Sequence, residues 1–509
     1  MALAGAPLLF SLLLAQTPAS ERRAVASITP EDIRHRIAVL AADSMRGRDT
    51  PSPELEQAAR WVASEFRRFG LAPGAGADSY LQRYPIVRRQ LDASGCMVHV
   101  ERRGAAPMTL EGVDAVRVLR LGPPLPSGDV SGPVVLLAGV TGDLPRGLSV
   151  RGAWVAELAS MRQGMLRANL TAAQQALEAG AIGVLLISDA SDAEWTEAAS
   201  DTPAVEIVAG EPPARSAPAI AELRDRTAAA LFAIDLEPLR AMHVDHVRRL
   251  DGVVLTLHVR QRVLSRASAP NVIGILEGSD SVLRREYIFF TAHLDHLGVA
   301  SATNESCHAR GADSICNGAD DDASGVAAVL TNAAAFAQLT PRPRRSLVFM
   351  TVTGEEKGLW GSAYFTAHPT VPLTSVVADL NTDMIGRNWR DTVAAIGRDQ
   401  SDLGATLDRV AAAHPELDMT PVGDLWPAES FYTRSDHYNF ARHGVPILFF
   451  FSGTHPDYHE VSDEVSKIDA EKESRIVKLV FYLGLEIANA TARPRWDPAS
   501  YERVVDDTN

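Results

Sequence analysis

Four stretches in the second half of the chain, "EYIFFTA", "RSLVFMTVT", "SVVADLNT" and "VPILFFFSG", are built on near-continuous apolar runs. A strand with one wet face alternates; a strand covered on both faces reads as a continuous apolar run. Between and after them stand two helical patterns, "SGVAAVLTNAAAFAQL" and "ESRIVKLVFYLGLEIANA". This strand and helix alternation predicts an α/β fold: a mixed, mostly parallel sheet with helices on both faces.

At 509 residues the chain exceeds one ordinary core, which predicts two domains. A formal net charge of -15 argues against nucleic acid and anionic membrane surfaces as partners. The opening "MALAGAPLLFSLLLAQTPAS" holds an apolar run from Leu9 to Ala15, too short to span a bilayer and suited to an export signal over 1–20. That predicts a periplasmic or extracellular protein. No later segment reaches the length of a membrane span. Cys307 and Cys316 lie close together in a polar loop and are either a disulfide, as export would favour, or two free thiols. Cys96, in the strand-like "CMVHVE", is expected to be buried.

Further along, "TPEDIRHRIAVLAAD" and "SPELEQAARWVASEFRRFGL" each open on a capping residue followed by proline and show helical periodicity. The texture changes near Met108. Short strands "GPVVLLAGV" and "GAWVAEL", then a helix and strand in "TAAQQALEAGAIGVLLISD", predict a separate inserted module over 108–262 with no cluster of metal or nucleophile residues. The chemical domain is therefore expected over 21–107 and 263–492, with an exposed tail over 493–509.

Chemistry gathers where the apolar runs end. They deliver His293 and Asp295, then Glu355 and Glu356, then Asp383, and finally His459 in "THPDYHEVSD". In an open α/β sheet, sites form at the carboxyl ends of strands. The stretch "NGADDDASG" adds three adjacent carboxylates, Asp320 to Asp322, among very small residues. Converging carboxylates are tolerable around a dication, and small residues let the backbone approach it. Imidazole with carboxylate and no cysteine suits catalytic zinc, with cobalt or manganese as substitutes. Taken singly each motif is ordinary; together they occupy equivalent strand ends.

In order, "HLDH", "GADDDASG", "GEEKGLWGS", "NTDMIG" and "DYHEVSD" resemble the co-catalytic dizinc aminopeptidases, metallopeptidase family 28, with its zinc exopeptidase fold. The insert resembles a smaller, β-rich protease-associated domain through "ALEAGAIGVLLISD". The resemblance implies two zinc ions: His293 and Asp383 on one, Glu356 and His459 on the other, Asp321 bridging. It implies Asp295 behind His293, Glu355 as general base, Tyr458 near the tetrahedral intermediate, and a cis peptide after Asp321. Asp320, His296 and His455 receive no role from it.

The implied reaction is hydrolysis at the N-terminus of a peptide by a metal-bridged water, with Glu355 carrying its proton. A carboxypeptidase or glutaminyl cyclase on the same fold is the runner-up. A receptor-like protein that binds without turnover ranks below, since no ligand is missing. Trp426, Phe431 and Tyr432 either line an apolar substrate pocket or pack under a loop.

Overall fold

The computed structural model describes residues 19–76, 78–119, 127–162, 165–199, 205–210, 219–242, 244–302, 304 and 306–505. The export signal expected over 1–20 falls almost wholly outside them. The chain divides into two compact units, Met1–Tyr84 with Ser268–Asn509, and Pro85–Ala267.

In the first unit the four apolar runs become the strands Tyr287–His293, Ser346–Val352, Val376–Thr382 and Ile447–Phe451. They lie side by side and parallel, with Ser346–Val352 at one end, then Tyr287–His293, Val376–Thr382 and Ile447–Phe451. Antiparallel partners flank this block: Gln261–Leu276 on one side and Thr392–Ile396 on the other. The sheet is thus mixed, with a parallel centre. Its register sets His293 opposite Val352 and Thr382 opposite Phe450, so the four carboxyl ends come level at one edge.

Neighbouring phenylalanines show why the strand Tyr287–His293 has no wet face. Phe289 and Phe290 point to opposite sides of the sheet. Phe289 meets Phe365 and Phe440, from the helices Trp360–Ala367 and His437–Ala441. Phe290 meets Phe336, from Ala323–Phe336, which in turn packs on Phe481 of Ala470–Asn489. Helices cover both faces. At the N-terminal side, Thr29 Oγ1 accepts Asp32 N–H and Ser52 Oγ accepts Leu55 N–H, and proline takes the first helical position in each case.

Over the tail expected at 493–509, the described residues 493–505 are mostly exposed, yet they are ordered against the rest of the first unit. Residues Pro498–Val504 form a helix, Trp496 Nε1 donates to Gly444 O, and Arg493 pairs with Glu286. Trp496 and Val504 pack on a buried cluster that includes Phe289 and Phe440.

The second unit holds its own mixed sheet over a core that includes Val98, Trp154, Leu185, Leu231 and Leu255. It spans 85–267, wider than the 108–262 read from texture. Pairing explains the difference: Met97–Arg102 is laid against His246–Val259, so residues ahead of Met108 belong to this sheet. "ALEAGAIGVLLISD" contributes the end of the helix Leu170–Glu178 and the strand Gly183–Ser188. Cys96 is buried and free, and Cys307 is bonded to Cys316. Among the described residues, no helix is long and apolar enough to cross a membrane.

Candidate active site

Each strand end supplies its side chain to one place. The ring of His293, 2% exposed, sets Nδ1 at 3.0 Å from the carbonyl oxygen of Asp295. A carbonyl only accepts, so the proton sits on Nδ1 and the Nε2 lone pair faces the other way. There Nε2 lies 3.1 Å from Asp321 Oδ1 and 3.7 Å from Asp383 Oδ1. The other oxygen of Asp321, Oδ2, lies 3.3 Å from His459 Nε2, which is also 3.3 Å from Glu356 Oε2. One carboxylate therefore stands between two sets of donors.

The three aspartates of the "DDD" run do three different things. Asp321 spans the two sets. Asp322 caps the helix behind it: Oδ1 accepts the N–H of Gly325 and Met384, and Oδ2 accepts that of His293. Asp320, which the motif left without a role, accepts Gly386 N–H at 2.6 Å and faces His455 Nε2 at 3.2 Å. The peptide between Asp321 and Asp322 is cis. Small neighbours are a steric requirement. A Cβ on Gly318, whose φ is +59°, would stand 2.2 Å from the carbonyl of Asp321, and one on Gly325 would stand 2.2 Å from that of Thr382.

One expectation is met by a different atom and one needs correction. Asp295 orients His293 through its carbonyl, while its carboxylate stands 3.9 Å away. The carboxylate accepts Thr50 Oγ1–H and the N–H of Glu355, so it fixes the turn that carries the two glutamates. Second, His296 is no ordinary packing residue: its Nδ1 lies 2.7 Å from Glu356 Oε1, with the ring fully buried.

Other residues escaped the sequence. Asp463 accepts the main-chain N–H groups of both Asp320 and Asp321. Ser435 Oγ donates to Asp383 Oδ2 at 2.8 Å. Arg48, 1% exposed, donates to the carbonyls of Leu294, Leu40, Asn317 and Gly318, and so joins the His293 and Asp321 segments. Asp463 stands at the end of one of the quoted motifs, "DYHEVSD".

Burial pushes every carboxyl here upward, but the outcomes split. Asp321 is nevertheless held well below the usual range by His296, His293 and His459. Glu356, also against burial and the charge of Asp321, comes down to about 2 through hydrogen bonds to His296 and His459. Glu355 goes well above its ordinary value, by burial first and then by the charge of Glu356, with His293 opposing. Asp383 is raised by burial as well. Burial lowers His459, yet Asp321 and Glu356 win and lift it to about 10. Imidazoles and carboxylates that hold each other's charge this way suit a site built for cations.

Spacing gives a test of fit. Donors around a tetrahedral zinc at about 2.0–2.1 Å stand roughly 3.3 Å from one another. His293 Nε2 to Asp321 is 3.1 Å, and His459 Nε2 to Asp321 and to Glu356 is 3.3 Å. The sets His293–Asp322–Asp383 and His296–Asp321–Glu356 also have ligand atoms close enough for an ion. Asp322 already accepts three N–H groups, which leaves Asp321 the better ligand.

Beside these groups lies a pocket open to solvent. Met384, Phe431, Phe449, Phe451 and Tyr458 form apolar walls, Glu355 faces the same space, and Arg434 stands at it too. Tyr458 stacks on His459 at 3.8 Å, and burial raises its hydroxyl above the usual value, which keeps it a neutral donor. Of the three aromatics in question, Phe431 lines the pocket. Trp426 packs behind it, edge-on to Phe431 and Phe451, and the Tyr432 carbonyl accepts from His437 Nε2. His437 stacks on Phe449, and burial drives it down to about 3, so it stays neutral.

Residues 271–484 match peptidase family M28. That segment holds all the site residues named above from His293 to His459. Among similar curated proteins, a probable zinc metalloprotease of Pyricularia oryzae is 38% identical over 282 residues, 46% of this chain and 54% of that one. A probable leucine aminopeptidase of Trichophyton verrucosum is 28% identical over 205 residues, 39% of this chain and 56% of that one. The chain thus spans little more than half the length of either. Among solved structures, an aminopeptidase from Aneurinibacillus sp. strain AM-1 is 19% identical, with a TM-score of 0.47, covering 94% of this chain and 98% of that one. A zinc aminopeptidase from Bacillus subtilis is 15% identical, with a TM-score of 0.46, covering 95% and 99%.

Proposed function

We propose that this family M28 domain is a two-zinc aminopeptidase that releases the first residue of peptides. The observation that carries the reading is Asp321, whose two oxygens face His293 on one side and His459 on the other. His293 and Asp383 would hold one ion, Glu356 and His459 the second, with Asp321 shared. Two ions bound there supply Lewis acidity to the scissile carbonyl and lower the pKa of a water.

The chain's own residues do the rest. Glu355, raised by burial and bonded to no metal-facing imidazole, takes the water's proton and passes it to the leaving amine. Tyr458, a neutral phenol on the same pocket, donates a hydrogen bond to the oxygen that gains charge. The apolar walls take the first side chain and exclude water.

A panel of free and N-blocked peptides, with metal analysis on the same sample, tests this. Cleavage confined to free N-termini, abolished by chelation and restored by zinc, is expected. Release from the carboxyl end, or full activity in metal-free protein, overturns it.

Export is part of the same reading, supported by the Cys307–Cys316 bond and the apolar leader. We also read unit 85–267 as a protease-associated module, on its mixed sheet and on the helix and strand made by "ALEAGAIGVLLISD".

A further inference from the structure

Arg434 is the one permanently charged cation among the described residues that line the pocket, and nothing in the reaction above uses it. Its guanidinium carbon lies 4.7 Å from the ring centroid of Phe431, a pocket wall, which holds the planar group against that wall. Among the described residues its one ion-pair partner is Glu429, at 4.0 Å, the outer limit of an ion pair, with both side chains about half exposed. Among the described residues, no hydrogen bond uses the guanidinium donors. An aliphatic stem would find Met384, Phe431 and Phe451. A carboxylate at its end would find Arg434.

We propose that Arg434 binds a carboxylate of the substrate, which makes N-terminal glutamate a favoured first residue. This rests on the aminopeptidase reading and deepens it. The carboxylate has two sources: the first side chain, or the terminal carboxylate of a dipeptide. A leucine side chain fills the walls and leaves the guanidinium in water. Glutamine matches glutamate in shape and lacks the charge, so the ratio between the two reads the charge alone. A charge-assisted hydrogen bond at a half-exposed site is expected to shift that ratio roughly fivefold or more.

The test compares wild type, Arg434→Lys and Arg434→Met on Glu-Ala-NH2, Gln-Ala-NH2, Leu-Ala-NH2 and Leu-Ala, with thermal melting to establish folding. The glutamate-to-glutamine ratio of kcat/KM should fall roughly fivefold or more in Arg434→Met, and less in Arg434→Lys. A fall confined to Leu-Ala against its amide assigns the carboxylate to the dipeptide terminus instead. Unchanged ratios in folded Arg434→Met overturn the proposal. Calorimetric titration with L-glutamate and L-glutamine keeps the two ideas separable. Were no peptide cleaved, the aminopeptidase reading would fall, and the glutamate preference in binding, with its loss in Arg434→Met, would still decide the role of Arg434.

Discussion

Asp463 accepts the main-chain N–H of Asp321 at 3.1 Å. The same carboxylate takes the N–H of Asp320 at 2.9 Å, so the aspartate between the two donor sets hangs from one buried acid. Position of the shared ligand is thereby fixed through the backbone, while both its oxygens stay free to face the imidazoles.

Asp463→Ala leaves two buried N–H groups without an acceptor, at about 1–3 kcal/mol each. The variant should lower the urea midpoint and retain less metal after dialysis. Asp463→Asn keeps one acceptor oxygen and should fall between it and wild type. Wild-type metal retention in a folded Asp463→Ala would show that the tether is irrelevant to the site.

Cys307 and Cys316 close a loop with a sequence separation of 9, and Cys316 lies five positions before Asp321 in the same polar segment. Loop-closure entropy for such a bridge is worth roughly 2–3 kcal/mol. Non-reducing mass mapping should find these two cross-linked and Cys96 alkylated only after unfolding. The double serine variant should lose stability of that order. Alkylation of both thiols in the native, unreduced protein would refute the pairing.

Four of the candidate ligands, His293, Glu356, Asp383 and His459, were legible because each follows a strand whose burial on both faces leaves a plain sequence mark, and Asp321 stood out through its run of aspartates. The supports of these ligands were not legible, because they act across long separations. Arg48 reaches carbonyls 246, 269 and 270 positions away, and no local pattern encodes that. His296 meets Glu356 across 60 positions, so nearby residues gave it only a packing role. Asp295 does stand behind His293, as the resemblance implies, but through its backbone. The rule that a ligating imidazole gives its other N–H to an acceptor holds, but the acceptor is the carbonyl of Asp295, not its carboxylate. The insert boundary moved for the same long-range cause, the pairing of Met97–Arg102 with His246–Val259.

Glu473 is fully buried, and among the described residues neither of its carboxylate oxygens has a hydrogen-bond partner. Burial, and then the charge of Asp320, raises it well above its ordinary 4.5, with Lys472 opposing. The folded state therefore keeps the proton that the unfolded chain releases above about pH 4.5. Stability from this group is present below that pH and falls as pH rises towards the folded value, by up to about 1.4 kcal/mol per pH unit. Glu473→Gln removes the titration. Its urea midpoint, compared with wild type, should improve between pH 4.5 and 8. A difference that stayed constant with pH would rule out the buried, protonated carboxyl.

Glu355 and Glu356 follow the same strand and face different partners. Glu356 meets His296 through Oε1 and His459 through Oε2, whereas Glu355 faces the pocket. The general base should move a proton without holding metal. Glu355→Gln keeps the shape and removes the basicity, so metal content should persist while turnover falls roughly 10²–10⁴-fold. Glu356→Ala removes a ligand and leaves His296 Nδ1 without its acceptor, so the second ion should be bound less tightly. Excess zinc should partly restore Glu356→Ala and leave Glu355→Gln inactive. Metal stoichiometry and turnover, measured on both variants at matched zinc concentrations, separate the roles. Loss of metal from Glu355→Gln with activity regained at saturating zinc, alongside full metal content in Glu356→Ala, would reverse the assignment.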